Sequence, residues 1–85
     1  MTPAAPSPSP QIEVNGTSVP LAQTTTLASV VIALLKPAEA GATVASLGGG
    51  IAAAVNDAVV PRSIWADHTL NDGDRVEILT AVQGG

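Results

Sequence analysis

Asn71-Asp72-Gly73-Asp74-Arg75-Val76-Glu77-Ile78-Leu79-Thr80 is a turn that runs straight into a strand. Asp and Asn side chains bond their own backbone and Gly accepts positive φ, so the first four residues are a dense turn signal. From Arg75 the apolar positions alternate, which puts Val76, Ile78 and Thr80 on one face. Working back, Ile51-Ala52-Ala53-Ala54-Val55 reads as another strand, with Ile51, Ala53 and Val55 on one face. Asn56-Asp57 turns that strand into a short return, Ala58-Val59-Val60, which Pro61 ends.

Ile12-Glu13-Val14 also alternates and is followed by Asn15-Gly16. Both central residues of a type I′ turn need positive φ, and Asn-Gly supplies them, so a hairpin is expected. The return, Ser18-Val19-Pro20-Leu21, places Val19 and Leu21 on one face; Pro20 has no N–H, so this strand belongs at a sheet edge. Thr24-Thr25-Thr26 then offers helix N-caps. Leu27, Val30, Val31, Leu34 and Leu35 follow at the spacing of one helical face. Pro37 pushes Lys36 out of the α region and ends the helix there. A helix of roughly ten residues rich in Val and Ile is weak alone and must be held by a sheet. Residues 37–50 leave two readings open. Val44 and Leu47 form one more helical turn, or the segment is a connector whose flexible part is Gly48-Gly49-Gly50. A phosphate loop is excluded, because Ile51-Ala52-Ala53 stands where a Lys and a Ser or Thr would be needed.

The order is hairpin, helix, hairpin, turn, strand. One helix covers one face, so the economical architecture is an α+β fold with a mixed sheet of four to five strands and the helix across it. The last strand pairs parallel to the first in the middle of the sheet. That arrangement resembles the β-grasp of ubiquitin, and it leaves the second sheet face free for a partner. Three segments are expected: a disordered Pro/Ser-rich extension over 1–10, the β-grasp domain over 11–80, and a flexible tail over 81–85.

The chain has 85 residues, no cysteine, and three Lys+Arg against seven Asp+Glu. At that size there is one core, which buries about 60% of the unfolded surface. The lack of cysteine excludes disulfides, thiolate zinc sites and a thiol nucleophile. The acidic balance speaks against nucleic acid, whose phosphates demand basic patches. The N-terminal ten residues hold four prolines and no basic residue, so they read as an extended segment rather than a secretory signal. The apolar run Leu27 to Leu35 is far short of the ~20 residues that span a bilayer, so no membrane is implied and the cytoplasm is the expected compartment.

Asp67, His68, Asp72 and Asp74 lie close in sequence, but Asp72-Gly73-Asp74 is turn chemistry and a single solvated His does not make a metal site. Trp65 has two readings: a binding anchor or a core residue roofing the domain near Pro61. The tail is more informative. Without Cβ atoms on Gly84 and Gly85, backbone can thread a narrow channel and approach a nucleotide closely. Ala81 to Gly85 reach at most ~18 Å when extended, enough to enter another protein's site. The reactive group would be the Gly85 α-carboxylate. A carboxylate is a poor acyl donor and needs activation, most simply as an acyl-adenylate, for which a partner must supply the ATP site.

The segment from Ile51 onward resembles the sulfur carrier proteins of thiamin biosynthesis, in the branch that makes the thiazole ring. The resemblance is carried by Val55-Asn56, by Val59-Val60-Pro61-Arg62-Ser63-Ile64-Trp65 and by Leu70 to Gly85. Its specific part is Asp72-Gly73-Asp74-Arg75-Val76-Glu77-Ile78-Leu79-Thr80-Ala81-Val82-Gln83-Gly84-Gly85, since a bare Gly-Gly end fits any ubiquitin-like carrier. The family implies that an E1-like adenylyltransferase, using ATP and Mg²⁺, adenylates Gly85, with Gly84 giving access to the partner site and Ala81, Val82 and Gln83 contacting it. A cysteine desulfurase or rhodanese-type donor then supplies sulfur, and the thiocarboxylate delivers it to thiazole synthase. The carrier itself is no enzyme and binds no cofactor. Departures are the Pro/Ser-rich start, a long connector from Pro37 to Gly50, and Asp57 at a turn position where Gly is common, which is expected to weaken that hairpin. The small subunit of molybdopterin synthase, a carrier for cysteine synthesis, a ubiquitin-like modifier and a plain binding domain are the alternatives; Thr80-Ala81-Val82-Gln83 before Gly-Gly favours thiamin.

Overall fold

The computed structural model describes residues 9–22, 25–36 and 41–81. Among these, five strands form one sheet: β1 (Gln11–Val14), β2 (Thr17–Pro20), β3 (Ile51–Val55), β4 (Ala58–Val59) and β5 (Arg75–Thr80), in the order β2-β1-β5-β3-β4. β5 lies parallel to β1 and antiparallel to β3, while β2 and β4 pair antiparallel at the two edges. Pro20 thus sits on an edge strand, where its missing N–H breaks no ladder. One helix, α1 (Leu27–Leu35), crosses one face, and two 3₁₀ segments follow at Val44–Leu47 and Arg62–Asp67. This is the mixed α+β arrangement of the β-grasp, with the last strand parallel to the first at its centre.

Both hairpins turn on two positive-φ residues, Asn15 (49°) with Gly16 (85°) and Asn56 (51°) with Asp57 (70°). Asp57 takes its turn position at positive φ, and the hairpin it serves is the shorter one, pairing only Ala54↔Val59 and Val55↔Ala58 against four pairs between β1 and β2. Its carboxylate lies 2.6 Å from Arg75 Nη2. That hydrogen bond, and then the charge behind it, raise the Arg75 guanidinium above its ordinary value.

Thr26 caps α1. Its Oγ1 accepts from the Ser29 N–H at 3.2 Å, and Ser29 Oγ accepts in return from the Thr26 N–H at 3.1 Å. Lys36 closes the helix with its N–H on the Ile32 carbonyl at 2.7 Å. Thr24 and Pro37 lie outside the described residues. The buried strip is Leu27, Ala28 and Val31, with Val30 and Leu35 half-buried. Leu34, expected on that strip, is exposed. Leu34 turns instead, with Val30 and Ala33, toward an apolar groove against Val19 and Pro20 of β2.

Under α1, Ile12 and Val14 of β1, Ala53 and Val55 of β3, and Val76 and Ile78 of β5 close the core. Thr80 shares the face of Val76 and Ile78 but is exposed, because β5 outruns the core at its C-terminal end. Trp65 is 1% exposed and donates from Nε1 to the Val60 carbonyl at 2.8 Å. It is a core residue, which removes the binding-anchor reading. It is the one aromatic plate in a core otherwise built of Val, Ile, Leu and Ala, and burying that plate requires a partner for its N–H. The 3₁₀ segment that carries Trp65 was not expected, since six residues are too few to show helical periodicity. Just beyond it, Leu27 N–H meets the His68 carbonyl at 2.8 Å and Leu70 N–H meets the Thr25 carbonyl at 2.9 Å, which ties the start of α1 to the segment leading into β5. Among the described residues no helix is long and apolar enough to cross a membrane.

Candidate functional site

The site is built from β5 outward. At its start the Asn71–Asp74 turn is fixed by its own carboxylates. Asp74 Oδ2 accepts from the Asn71 N–H at 2.8 Å, and Asp72 Oδ1 accepts from the Gln11 N–H at 2.8 Å. Asp74 caps its own turn, as the spacing suggested, while Asp72 ties the turn to the start of β1. His68, read as a solvated side chain, is half-buried.

Two asparagines then brace the strand from opposite sides. Asn56 donates from its backbone N–H to the Arg75 carbonyl at 2.8 Å and accepts the Arg75 N–H on Oδ1 at 2.9 Å. Asn15 reaches further. Its backbone N–H meets the Val76 carbonyl at 2.9 Å. Its side-chain amide accepts the Ile78 N–H at 2.8 Å and donates to the Ile78 carbonyl at 3.2 Å. The Asn15 amide therefore continues the β1 ladder beyond the point where β1 turns away. Sequence reading saw in Asn15 only a turn residue; its second role depends on which strand lies beside it.

Past Ile78, β3 carries the pairing, through Ala52↔Leu79 and Ile51↔Thr80. The last described contact is the Ala81 N–H to the Gly50 carbonyl at 2.6 Å. Gly50 has φ +75°, a conformation that favours glycine, and a Cβ added there would stand in ordinary contact with the Ala81 Cβ at 3.4 Å. Ala81 is exposed. It is the one residue of the expected site that the structure places; Val82, Gln83, Gly84 and Gly85 lie outside the described residues.

The face away from α1 is uncovered, and its β3–β4–β5 half is apolar. Val59 is 78% exposed and Leu79 69% exposed, each beside an alanine of β3 across the ladder. A shallow concavity of about 210 Å³ is lined by Ala52, Ala54, Val59, Glu77 and Leu79. A second, of about 420 Å³, is lined by Gly50, Ile51, Ala52, Leu79, Thr80 and Ala81. They share Ala52 and Leu79, so the apolar strip runs up to the root of the C-terminal segment, with Asp57 and Glu77 at its border. Exposed apolar surface rimmed by charge is the usual mark of a protein-binding area. Among the described residues no group of three or more His, Cys, Asp or Glu is placed to hold a metal ion.

Comparison with known proteins is consistent with this geometry. The sequence pattern of the ThiS family matches residues 9–85. The sulfur carrier protein ThiS of Escherichia coli (strain K12) is 42% identical over 36 residues, which cover 42% of this chain and 54% of that protein. The match thus spans about half the length of the curated relative. The crystal structure of a thiamine biosynthesis protein (ThiS) from Geobacter metallireducens superposes with a TM-score of 0.56 at 26% identity, covering 88% of this chain and 99% of that one.

Proposed function

The chain belongs to the ThiS family, and from that premise we propose that it is a sulfur carrier of thiamin biosynthesis whose working group is the Gly85 α-carboxylate. The observation that carries this reading is the continuity between β5 and the C-terminus. The family match runs through Gly85, and the strand that bears the last residues emerges beside an exposed apolar strip at Ala81. A carrier needs that combination. A partner must hold the folded domain by one surface while the C-terminal backbone enters its active site.

In this reading an E1-like adenylyltransferase docks on the Val59–Leu79 strip and takes the tail, with Ala81, Val82 and Gln83 as contacts. Gly84 and Gly85 supply the narrow backbone that can reach a nucleotide. The partner's ATP, with Mg²⁺, activates the carboxylate as an acyl-adenylate. The persulfide of a cysteine desulfurase or rhodanese-type donor attacks the acyl-adenylate and expels AMP, and a second thiol, supplied by a partner or a small-molecule reductant, cleaves the resulting acyl disulfide to leave a thiocarboxylate, which thiazole synthase consumes. The sulfur stays covalently held throughout, and no cysteine of this chain competes for it. The chain acts as co-substrate and its partners are the catalysts.

The test is incubation with an E1-like partner, ATP and a sulfur donor, followed by intact-mass measurement. The expected result is replacement of one oxygen by sulfur. An unchanged mass in a system that converts another carrier removes the proposal. Offering the product to thiazole synthase and to the large subunit of molybdopterin synthase separates the two acceptors. Transfer to the second alone would shift the assignment to the molybdopterin branch.

A further inference from the structure

We infer that Arg62 is a positioning residue for the C-terminal segment: it clips the glycine connector to the Trp65 platform and so fixes Gly50, the contact that sets where Ala81 leaves the sheet. The geometry stands apart from the proposed function; the consequence for activation rests on that function.

The connector before β3 was expected to be flexible at Gly48-Gly49-Gly50, yet it is held at both ends. Arg62 Nη2 donates to the Val44 carbonyl at 2.5 Å, and Arg62 Nη1 donates to the Gly48 carbonyl. Val44 opens the short 3₁₀ turn and Gly48 is its C-cap, with φ +77°. The guanidinium thus bonds one carbonyl at each end of this turn, that of its first residue and that of its C-cap. Its Cζ lies over the Trp65 ring, 5.6 Å from the ring centroid. Trp65 is itself locked by burial and by its bond to Val60. Two residues after Gly48, the Gly50 carbonyl takes the Ala81 N–H. A physical chain runs from the Trp65 platform through Arg62 to Gly48, then through Gly49 to Gly50 and Ala81.

The side chain has to be arginine. A planar guanidinium presents N–H groups in a fixed fork and can hold two carbonyls while stacking on a ring; a lysine ammonium is a single point and cannot. Three consecutive glycines carry a large conformational entropy, so the connector stays in one place only while something holds it. Arg62 is the side chain seen to do so at Val44 and Gly48. Gly50 is also close to Ala81, so a drifting connector would take the last ladder bond of β5 with it.

Two variants, R62A and R62K, test this against the wild-type chain. The first readout is amide hydrogen exchange in the free protein, which needs no partner. Exchange at the Ala81 N–H should speed up about tenfold in both variants, while the Val76 and Ile78 amides keep their protection, because local openings differ from segment to segment. The second readout is steady-state adenylation by an E1-like enzyme. Its kcat should fall several-fold with KM within about twofold, since the Val59–Leu79 strip is untouched. Unchanged exchange at Ala81 overturns the inference, as does a rise shared equally by every β5 amide, which would mean simple destabilisation. A loosened Ala81 with unaltered kcat also overturns it. Should R62A fail to fold, R62K and the independent G50A carry the test, since G50A strains the same contact from the other side. If the wild-type chain is never adenylated, the sulfur-carrier reading fails, while the exchange measurement still decides whether Arg62 holds Ala81.

Discussion

The two halves of β5 are held in different ways. From Arg75 to Ile78 the strand is laced on both sides, by β3 and Asn56 on one and by β1 and the Asn15 amide on the other. From Leu79 to Ala81 the pairing described is to β3 and Gly50 alone. The first half buries Val76 and Ile78; the second exposes Leu79, Thr80 and Ala81. One strand thus passes from structural work to interaction work within a few residues. Stability and function should therefore separate along it.

The largest effect that would break this contrast comes from the end of the chain. Deleting Gly85 should abolish activation by an E1-like enzyme while leaving the thermal unfolding curve within error; a marked drop in Tm would mean that the tail supports the fold. Next is Ile78→Ala, which empties a fully packed site and should cost about 2–5 kcal/mol in denaturant unfolding. On a domain this small that approaches the whole of its stability. Leu79→Asp, one residue on, should do the reverse. Unfolding should shift by less than about 0.5 kcal/mol, and KM for the activating partner should rise about tenfold, equivalent to ~1.4 kcal/mol. Equal stability losses at positions 78 and 79 would erase the distinction between the halves. Asn15→Ala gives up two hydrogen bonds and the ease of positive φ, and about 1–2 kcal/mol of stability is expected to go with them; hydrogen exchange should place the loss at Ile78. The smallest effect is electrostatic. With a net charge of −4, association with a partner carrying basic patches should slow as salt rises, and flat rates across a salt series would remove steering from the account.

Much of this was legible in the residues. Asn15-Gly16, the alternation at Val76 and Ile78, and the Leu27–Val31 spacing each report a local rule, and local rules combine into the β-grasp order with little freedom. What escaped reading was the set of contacts that distant segments make. Trp65 reads equally as anchor or core until Val60 is seen to take its N–H. Leu34 belongs to the apolar face by period, yet it is exposed beside the groove that Val30 and Ala33 line with Val19 and Pro20. The hold of Arg62 on Val44 and Gly48 spans a segment whose composition advertises freedom, and no spacing rule links a guanidinium to carbonyls in another part of the chain. Of the expected site, Ala81 is placed by its bond to Gly50; Gly84 and Gly85 were read from their chemistry, and Val82 and Gln83 from the family resemblance.

The central claim is that the chemistry happens at the last residue. After reaction with an E1-like enzyme, ATP and a sulfur donor, the intact protein should be fragmented in the mass spectrometer and the added sulfur located. The account predicts the oxygen-to-sulfur exchange on the C-terminal fragments that contain Gly85, and nowhere else. Sulfur on an internal fragment, or none on any fragment in a reaction that charges another carrier, would contradict it.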